Sequence, residues 1–518
     1  MLRRIVGGLG LLALGCAGTG SRDATEIPPS APGSVAASDP EPEEVRGVET
    51  VPPTEYDAQT EARIARIVAD LRVPGVEPGT WSEPYTLDEI MERLRLPGVS
   101  VALIDEGKIA WARGFGVRRA GEDTRVDART RFQAGSISKP VFATAVMRMA
   151  ASGKLDIDAD VNGYLESWKV PPVGDWQPKI TLRNLLTHSA GLTVHGFPGY
   201  PADAKLPTVP QVLSGEAPSN TPPVMVDILP GLQPRYSGGG TTVGQLAVSE
   251  HLGAPFPALM KEWVLGPFGM EDSAYAQPLD EASKAWAASA HSWGGKPIDG
   301  DAHVYPEMAA AGLWTTPTDL ARFGLGIAAS LRGDAGAPLA KAQAQAMLTP
   351  QTAPHMGIGF FLQAGPGSSR FSHGGRDEGF DAQLILDRDG RQGAVIMINA
   401  NRDEVPQLLL WAIAREYGWA DMAPPVPEAV DVPAKTLRAY VGRYEVRPGY
   451  VLELRMAGER LELLAPGQPP LRLRGLGEGR LAVEGLAVTL RVEAGADGGA
   501  PRSITIDQGR GPVPARRL

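Results

Sequence analysis

The chain has 518 residues, 43% of them hydrophobic and 21% charged, which is the balance of a globular protein long enough for more than one domain. Sixty acidic residues against 50 lysines and arginines give a net charge of −10. With no basic run interleaved with aromatics, nucleic acid is excluded as a partner. The single cysteine, Cys16, excludes an internal disulfide and a CxxC zinc site.

The chain opens MLRRIVGGLGLLALGC. Arg3 and Arg4 precede a short apolar run, Ile5 to Leu14, well under the roughly 20 residues of a membrane helix. The pattern resembles a bacterial lipoprotein signal over residues 1–16, with Cys16 lipidated, although Ala13 stands where that signal prefers leucine. An ordinary secretory signal is the alternative. Either reading predicts the cell envelope, and the first predicts a protein anchored to the outer membrane and facing the periplasm. Residues 17–54 are rich in Pro, Ser, Ala, Asp and Glu without apolar periodicity, and read as a flexible acidic tether.

A domain is predicted over residues 55–422. It opens with a helical pattern near Tyr56 that puts Ile64, Ile67, Val68 and Leu71 on one face, then a short helix over Leu87 to Leu94. VSVALI and IAWARGFGV flank DEGK as a β-hairpin. Helices and loops follow. IGFFLQ, RFSHGG, FDAQLILD and AVIMINA then restore the strand pattern, with a turn at Arg388-Asp389-Gly390 and a closing helix at WAIAREYGW. Early and late strands around a helical middle predict an α+β fold: one antiparallel sheet drawn from both ends of the domain, flanked by helices and a helical subdomain. Residues 423–433 read as a linker. Over 434–518, LELRM, ERLELL, LRLRGL, RLAVEG, VTLRVE and SITID alternate apolar and polar residues, which predicts a small all-β barrel or sandwich.

Three motifs carry candidate chemistry. FQAGSISKP places Ser136 and Lys139 three residues apart at a predicted helix start, on one helical face; Pro140 fits the first turn and Gly153 the end. Taken alone this is an ordinary helix cap beside a surface lysine. RYSGGG puts Tyr236 just before a second helix. SHGGRDEGF puts His373 on a strand, followed by Gly374 and Gly375, whose missing side chains leave the strand edge open to a ligand.

In this order the motifs, with LRNLLTHSAGL, resemble the serine β-lactamase and penicillin-binding-protein-like superfamily, particularly its class C-like and esterase-like branch, over about residues 56–420. The β-domain resembles the lipocalin-like domain appended to some members. The resemblance implies Ser136 as nucleophile, Lys139 as its base, Tyr236 sharing that role, and His373 in the place of a strand lysine or histidine. It also implies an oxyanion hole from the backbone N–H groups of Ser136 and Arg376, along the Gly374-Gly375-Arg376 strand. One departure matters: the usual Tyr-x-Asn is Tyr236-Ser237-Gly238 here, and Gly374 stands where threonine is frequent. Both remove polar contacts to a β-lactam or peptide. The expectation is therefore hydrolysis of an ester or amide, with a D-amino-acid peptide among the substrates considered. A β-lactamase or D-Ala-D-Ala carboxypeptidase, and a non-catalytic envelope peptide-binding protein, are the alternatives.

Other chemistries find no motif. GxSxG is absent, its nearest approach being Gly98-Val99-Ser100-Val101-Ala102 within a predicted strand. HExxH and a phosphate-binding GxxxxGK[ST] are also absent. No metal or cofactor is expected; His188 reads as a structural hydrogen-bonding residue, and VHGFPGYPADAKLPTVP either as a wall of the substrate pocket or as a long surface loop.

Overall fold

The computed structural model describes residues 56–72, 83–365, 368–422, 432–447, 449–466, 470–477, 479–483, 488–493, 501–507 and 512–518. The predicted leader with Cys16, the 17–54 tether and most of the 423–433 linker lie outside these residues. The chain forms two compact units, one of Val48–Leu71 with Tyr85–Ala423, the other containing Pro424–Leu518.

In the larger unit, β1 (Gly98–Asp105) and β2 (Lys108–Gly116) form the expected hairpin. A two-residue ribbon joins β3 (Phe132–Gln133) to β4 (Trp314–Thr315). The late strands are β5 (Phe361–Gly365), β6 (Ser368–Asp377), β7 (Phe380–Asp387) and β8 (Gln392–Ile398). The antiparallel sheet runs β2-β1-β8-β7-β6-β5, so the ends of the domain meet where β1 pairs with β8, from Val99↔Ile398 to Asp105↔Gln392. Burial along β1 and β8 is almost unbroken, so both faces of the sheet are covered. Ser100, in the near-miss elbow, is buried in β1 and donates to the Asp127 carbonyl.

Six helices matter here: α1 (Ala58–Ala69), α2 (Leu87–Leu94), α3 (Ser138–Ala151), α4 (Gly238–Leu252), α5 (Pro317–Arg332) and α6 (Glu404–Tyr417). α5 packs along β1, β2, β7 and β8, and α6 packs on β8 and α1. The α1 face turns Ile64 and Ile67 inward, and Arg66 pairs with Glu416 of α6 at 2.7 Å. Phe142 of α3 and Phe132, Phe360, Phe371 and Phe380 are fully buried in one core. Burying each such ring stabilises the fold by roughly 1.5–3 kcal/mol. That core anchors α3, which carries the first motif, against the sheet that carries the third.

The smaller unit is a closed antiparallel barrel of eight strands, β9 (Gly442–Arg447) through β16 (Pro512–Arg517). Alternate residues point inward: Leu452 and Leu454, Leu461 and Leu463, Leu490 and Val492, Ile504 and Ile506. Eight strands exceed the six alternating runs read from the sequence. β16 escaped notice because Pro512 and Pro514 lack ladder donors. It closes the barrel through Arg516↔Glu445 and Arg517↔Tyr444, beyond both prolines.

Candidate active site

Ser136 sits in a single 3-10 turn, Gly135–Ile137, that runs straight into α3. It does not cap the helix: the capping position is Ile137, and no side chain caps it. Ser138 does the local structural work instead, donating to the Gly135 carbonyl at 2.6 Å and accepting from the Leu313 N–H at 3.0 Å. Two glycines seat this turn on β6. Gly135 has φ +50, and a Cβ there would lie 2.5 Å from Arg376 N; a Cβ on Gly375 would lie 1.8 Å from the Ala134 carbonyl oxygen. This corrects the expectation that Gly375 clears the way for a ligand, since its missing side chain makes room for the Gly135–Ile137 turn. At Gly374 a Cβ would be 3.4 Å from its nearest neighbour, so sterics do not require glycine there. The close approach brings the backbone nitrogens of Ser136 and Arg376 to one seam.

Lys139 is buried, with Nζ 2.9 Å from Ser136 Oγ and 2.9 Å from the Ala310 carbonyl. Burial drives its pKa from 10.5 down to about 7, against a smaller upward pull from Asp377. The ammonium also lies 5.0 Å from the centroid of the Tyr236 ring.

Tyr236 is held from both sides of its own backbone. The Arg235 N–H donates to the His188 carbonyl at 2.7 Å, and the Ser237 N–H to His188 Nδ1 at 3.2 Å. The ring packs against His188 at 4.2 Å and His195 at 4.9 Å between centroids, and lies parallel to Phe361 at 6.2 Å. Burial pushes the phenol up strongly, and a hydrogen bond with Ser136 pulls it back, so it is a neutral hydroxyl at ordinary pH. His188 accepts at Nδ1 and therefore carries its proton on Nε2. Burial, Lys139, His373 and His195 hold its pKa well below the usual imidazole value. Its hydrogen-bonding role was anticipated, but its grip on Tyr236 was not.

His373 lies mid-strand in β6, opposite Leu384. Its Nδ1 donates to the Gly374 carbonyl at 2.6 Å and its ring packs on Phe361 at 5.0 Å. Burial, then Lys139, lowers its pKa to about 3, so it is neutral. Arg376 turns its half-exposed side chain away into a clamp with Asp381 (2.6 Å) and Asp403 (3.3 Å), whose carboxylates hold its pKa up against burial.

At Gly238, where the family motif has asparagine, a Cβ would meet Phe197 at 3.0 Å and the His195 carbonyl at 3.1 Å. Its N–H donates to that same carbonyl at 3.0 Å. The Pro/Gly-rich loop thus packs onto the start of α4 and occupies this position. Ser136, Lys139, Tyr236 and His373 converge as the motifs suggested. His195, Phe197, Phe361 and the Ala310 carbonyl join them from segments without a chemical signature. No helix among the described residues is long and apolar enough to cross a membrane.

A helix-flanked antiparallel sheet with serine, lysine and tyrosine gathered at one helix start is the arrangement of the β-lactamase and penicillin-binding-protein fold. The "Beta-lactamase" family model matches residues 86–418, and the chain belongs to that family. Among its relatives, Esterase EstB of Burkholderia gladioli is 35% identical over 107 residues, 20% of this chain and 27% of the esterase. A β-lactamase of Pseudomonas fluorescens is 27% identical over 242 residues, 46% of this chain and 62% of the relative. The chain thus spans less than two thirds of either relative's length. The octameric penicillin-binding protein homologue from Pyrococcus abyssi shares the fold with a TM-score of 0.57 at 19% identity, over 83% of this chain and 98% of that one.

Proposed function

We propose that this hydrolase cleaves acyl groups through a covalent intermediate on Ser136, with small esters its preferred substrates over peptides and β-lactams. The observation that carries the reading is the 2.9 Å contact between Ser136 Oγ and Lys139 Nζ in a site dry enough to bring Lys139 to about 7. The Oγ proton passes to Lys139 Nζ as the Oγ–carbon bond forms, and the carbonyl electron pair moves onto oxygen, facing the N–H groups of Ser136 and Arg376. When that oxygen collapses, the bond to the leaving group breaks and Tyr236 hands the departing atom a proton, replenished from Lys139. Water then repeats the sequence on the acyl-enzyme and frees Ser136.

Two features favour an ester. Gly238 has no amide with which to read a peptide or β-lactam, and Phe197 closes on its place. A neutral His373 offers no cation to the carboxylate that most β-lactams and D-alanyl peptides carry. The similarity to an esterase supports the same choice. The test is a panel of short-chain p-nitrophenyl esters, D-alanyl-D-alanine peptides and a chromogenic cephalosporin, with Ser136→Ala as control. Ester turnover that disappears in Ser136→Ala, with a fluorophosphonate labelling Ser136, is the expected result. Labelling at another residue, or undiminished turnover in the variant, refutes it.

The reading extends to location: Cys16 carries lipid and holds the enzyme at the cell envelope. Cys16→Ala is expected to move the protein from the membrane to the soluble periplasmic fraction; unchanged fractionation refutes the anchor.

A further inference from the structure

The Ala310 carbonyl that accepts from Lys139 belongs to a short helical turn, Met308–Ala311, and that turn is held from another helix. Glu307 stands at its capping position, and its side chain makes no capping bond. The first N–H groups of a helical turn have no partner within it. Here the Ala309 N–H donates to Gln245 Oε1 at 2.8 Å, and Gln245 Nε2 donates to the Pro306 carbonyl at 2.9 Å. One buried amide, 3% exposed, therefore brackets the start of the turn with both of its polar atoms. Gln245 lies on α4, the helix that opens just after Tyr236. One residue before it, Gly244 lets α4 lie close against α3: a Cβ there would be 3.1 Å from the Phe142 ring. The clamp thus springs from a helix that is itself seated on the one carrying Lys139.

Among the described residues, the hydrogen-bond partners of Lys139 Nζ are Ser136 Oγ and the Ala310 carbonyl, each at 2.9 Å. A carbonyl only accepts, so it takes one N–H of the neutral amine. The lone pair is then left for the Ser136 hydroxyl, the direction a base requires. The amine ends a flexible four-carbon stem, and without that carbonyl it is free to rotate away from Oγ. We infer that Gln245 is a positioning residue for this base: by clamping Pro306 and Ala309 it fixes the Ala310 carbonyl, which aims Lys139 Nζ at Ser136. The same amide joins the helix that begins beside Tyr236 to the turn that holds Lys139, so the two proton-transfer groups keep one geometry. Gln245 acts through Lys139 without touching substrate, and the inference rests on the proposed function, in which Lys139 is the base for Ser136.

The test is Gln245→Met in the full-length protein, which keeps the length of the side chain and removes both bonds. A small displacement of a catalytic group is costly, so kcat for a short-chain p-nitrophenyl ester should fall about 10–100-fold with KM within about threefold of wild type. The second-order rate constant of fluorophosphonate labelling at Ser136 should fall by the same factor, while the final extent of labelling stays complete. Val248→Ala, at a buried position further along α4, is the control for loosened helix packing: its melting temperature should fall with kcat and labelling rate unchanged. Slow labelling in Gln245→Met beside a wild-type rate in Val248→Ala supports the inference. A wild-type rate in Gln245→Met overturns it. An equal loss in Val248→Ala also overturns it, since Gln245 would then be a packing residue only. If Gln245→Met does not fold, Gln245→Asn decides, its amide ending one methylene short of both partners: slower labelling supports the inference and a wild-type rate overturns it. An unlabelled Ser136 in the wild-type enzyme defeats the proposed function, while Ser136 labelled at the wild-type rate in the Gln245 variants defeats this inference alone.

Discussion

In the proposed mechanism the chemistry depends on Lys139, whose burial sets a measurable pH window. With the ordinary lysine value of 10.5, about 3 in 10⁴ of the side chains would be neutral at pH 7; at about 7, roughly half are. Desolvation therefore raises the concentration of usable base at neutral pH about a thousandfold. Below pH 7 the neutral form falls about tenfold per pH unit, so acylation of Ser136 should follow an acid limb centred near 7 and level off by about pH 8. The assay is the second-order rate of fluorophosphonate labelling from pH 5 to 10 at constant ionic strength, with ester hydrolysis followed in parallel. Lys139→Arg, which stays charged throughout, should lose about 10²-fold or more at every pH. The same burial has a folding consequence. Between about 7 and 10.5 the unfolded chain binds a proton that the folded chain does not, so stability rises with pH across that window. Lys139→Met should flatten this rise. An acid limb above pH 9, or a Lys139→Arg enzyme within tenfold of wild type, would refute the reasoning.

Tyr236→Phe keeps the ring and its packing on His188 and His195, so the melting temperature should hold while kcat falls about 10²–10⁴-fold; a kcat within threefold of wild type would exclude the phenol from proton transfer. Gly375→Ala places a methyl 1.8 Å from the Ala134 carbonyl, and is expected to lower stability by about 1–3 kcal/mol in chemical denaturation and to abolish Ser136 labelling. Wild-type values for both would show that β6 does not need the close approach. Gly238→Asn restores the family's residue but presses on Phe197 at 3.0 Å, so it should lower the melting temperature and yield no cephalosporin hydrolysis. Adding Phe197→Ala should recover part of the lost stability. A cephalosporinase produced by Gly238→Asn alone would show that the loop yields freely.

The local rules carried the sequence reading a long way. The hairpin at β1 and β2, the late strands β5 to β8 and the helices α1, α2 and α6 followed from period-2 and period-3.6 patterning, because each element has a buried face, whereas α5 lay in a middle region read only as helices and loops. Where a strand's local chemistry opposed its place, as with Pro512 and Pro514 in β16, the reading failed, since only barrel closure keeps that segment extended. In the site, Ser136 and Lys139 were legible because three residues along one chain are always neighbours at a helix start. Tyr236 and His373 were legible only through the order of motifs.

By itself the sequence determined which residues can do chemistry: a serine with a lysine one turn away, a tyrosine, a histidine on a strand, and an asparagine absent at Gly238. The tertiary structure decided what those residues are. Desolvation lowered the pKa of Lys139 and left His373 neutral, and depth of burial depends on every segment packed around a residue. His188 came to grip Tyr236, and Phe197 came to close on Gly238, across separations that no periodicity spans. The two glycines of adjacent motifs, Gly135 and Gly375, show the same division. Their type is written in the chain, yet each is required only because the other's backbone lies against it in the fold.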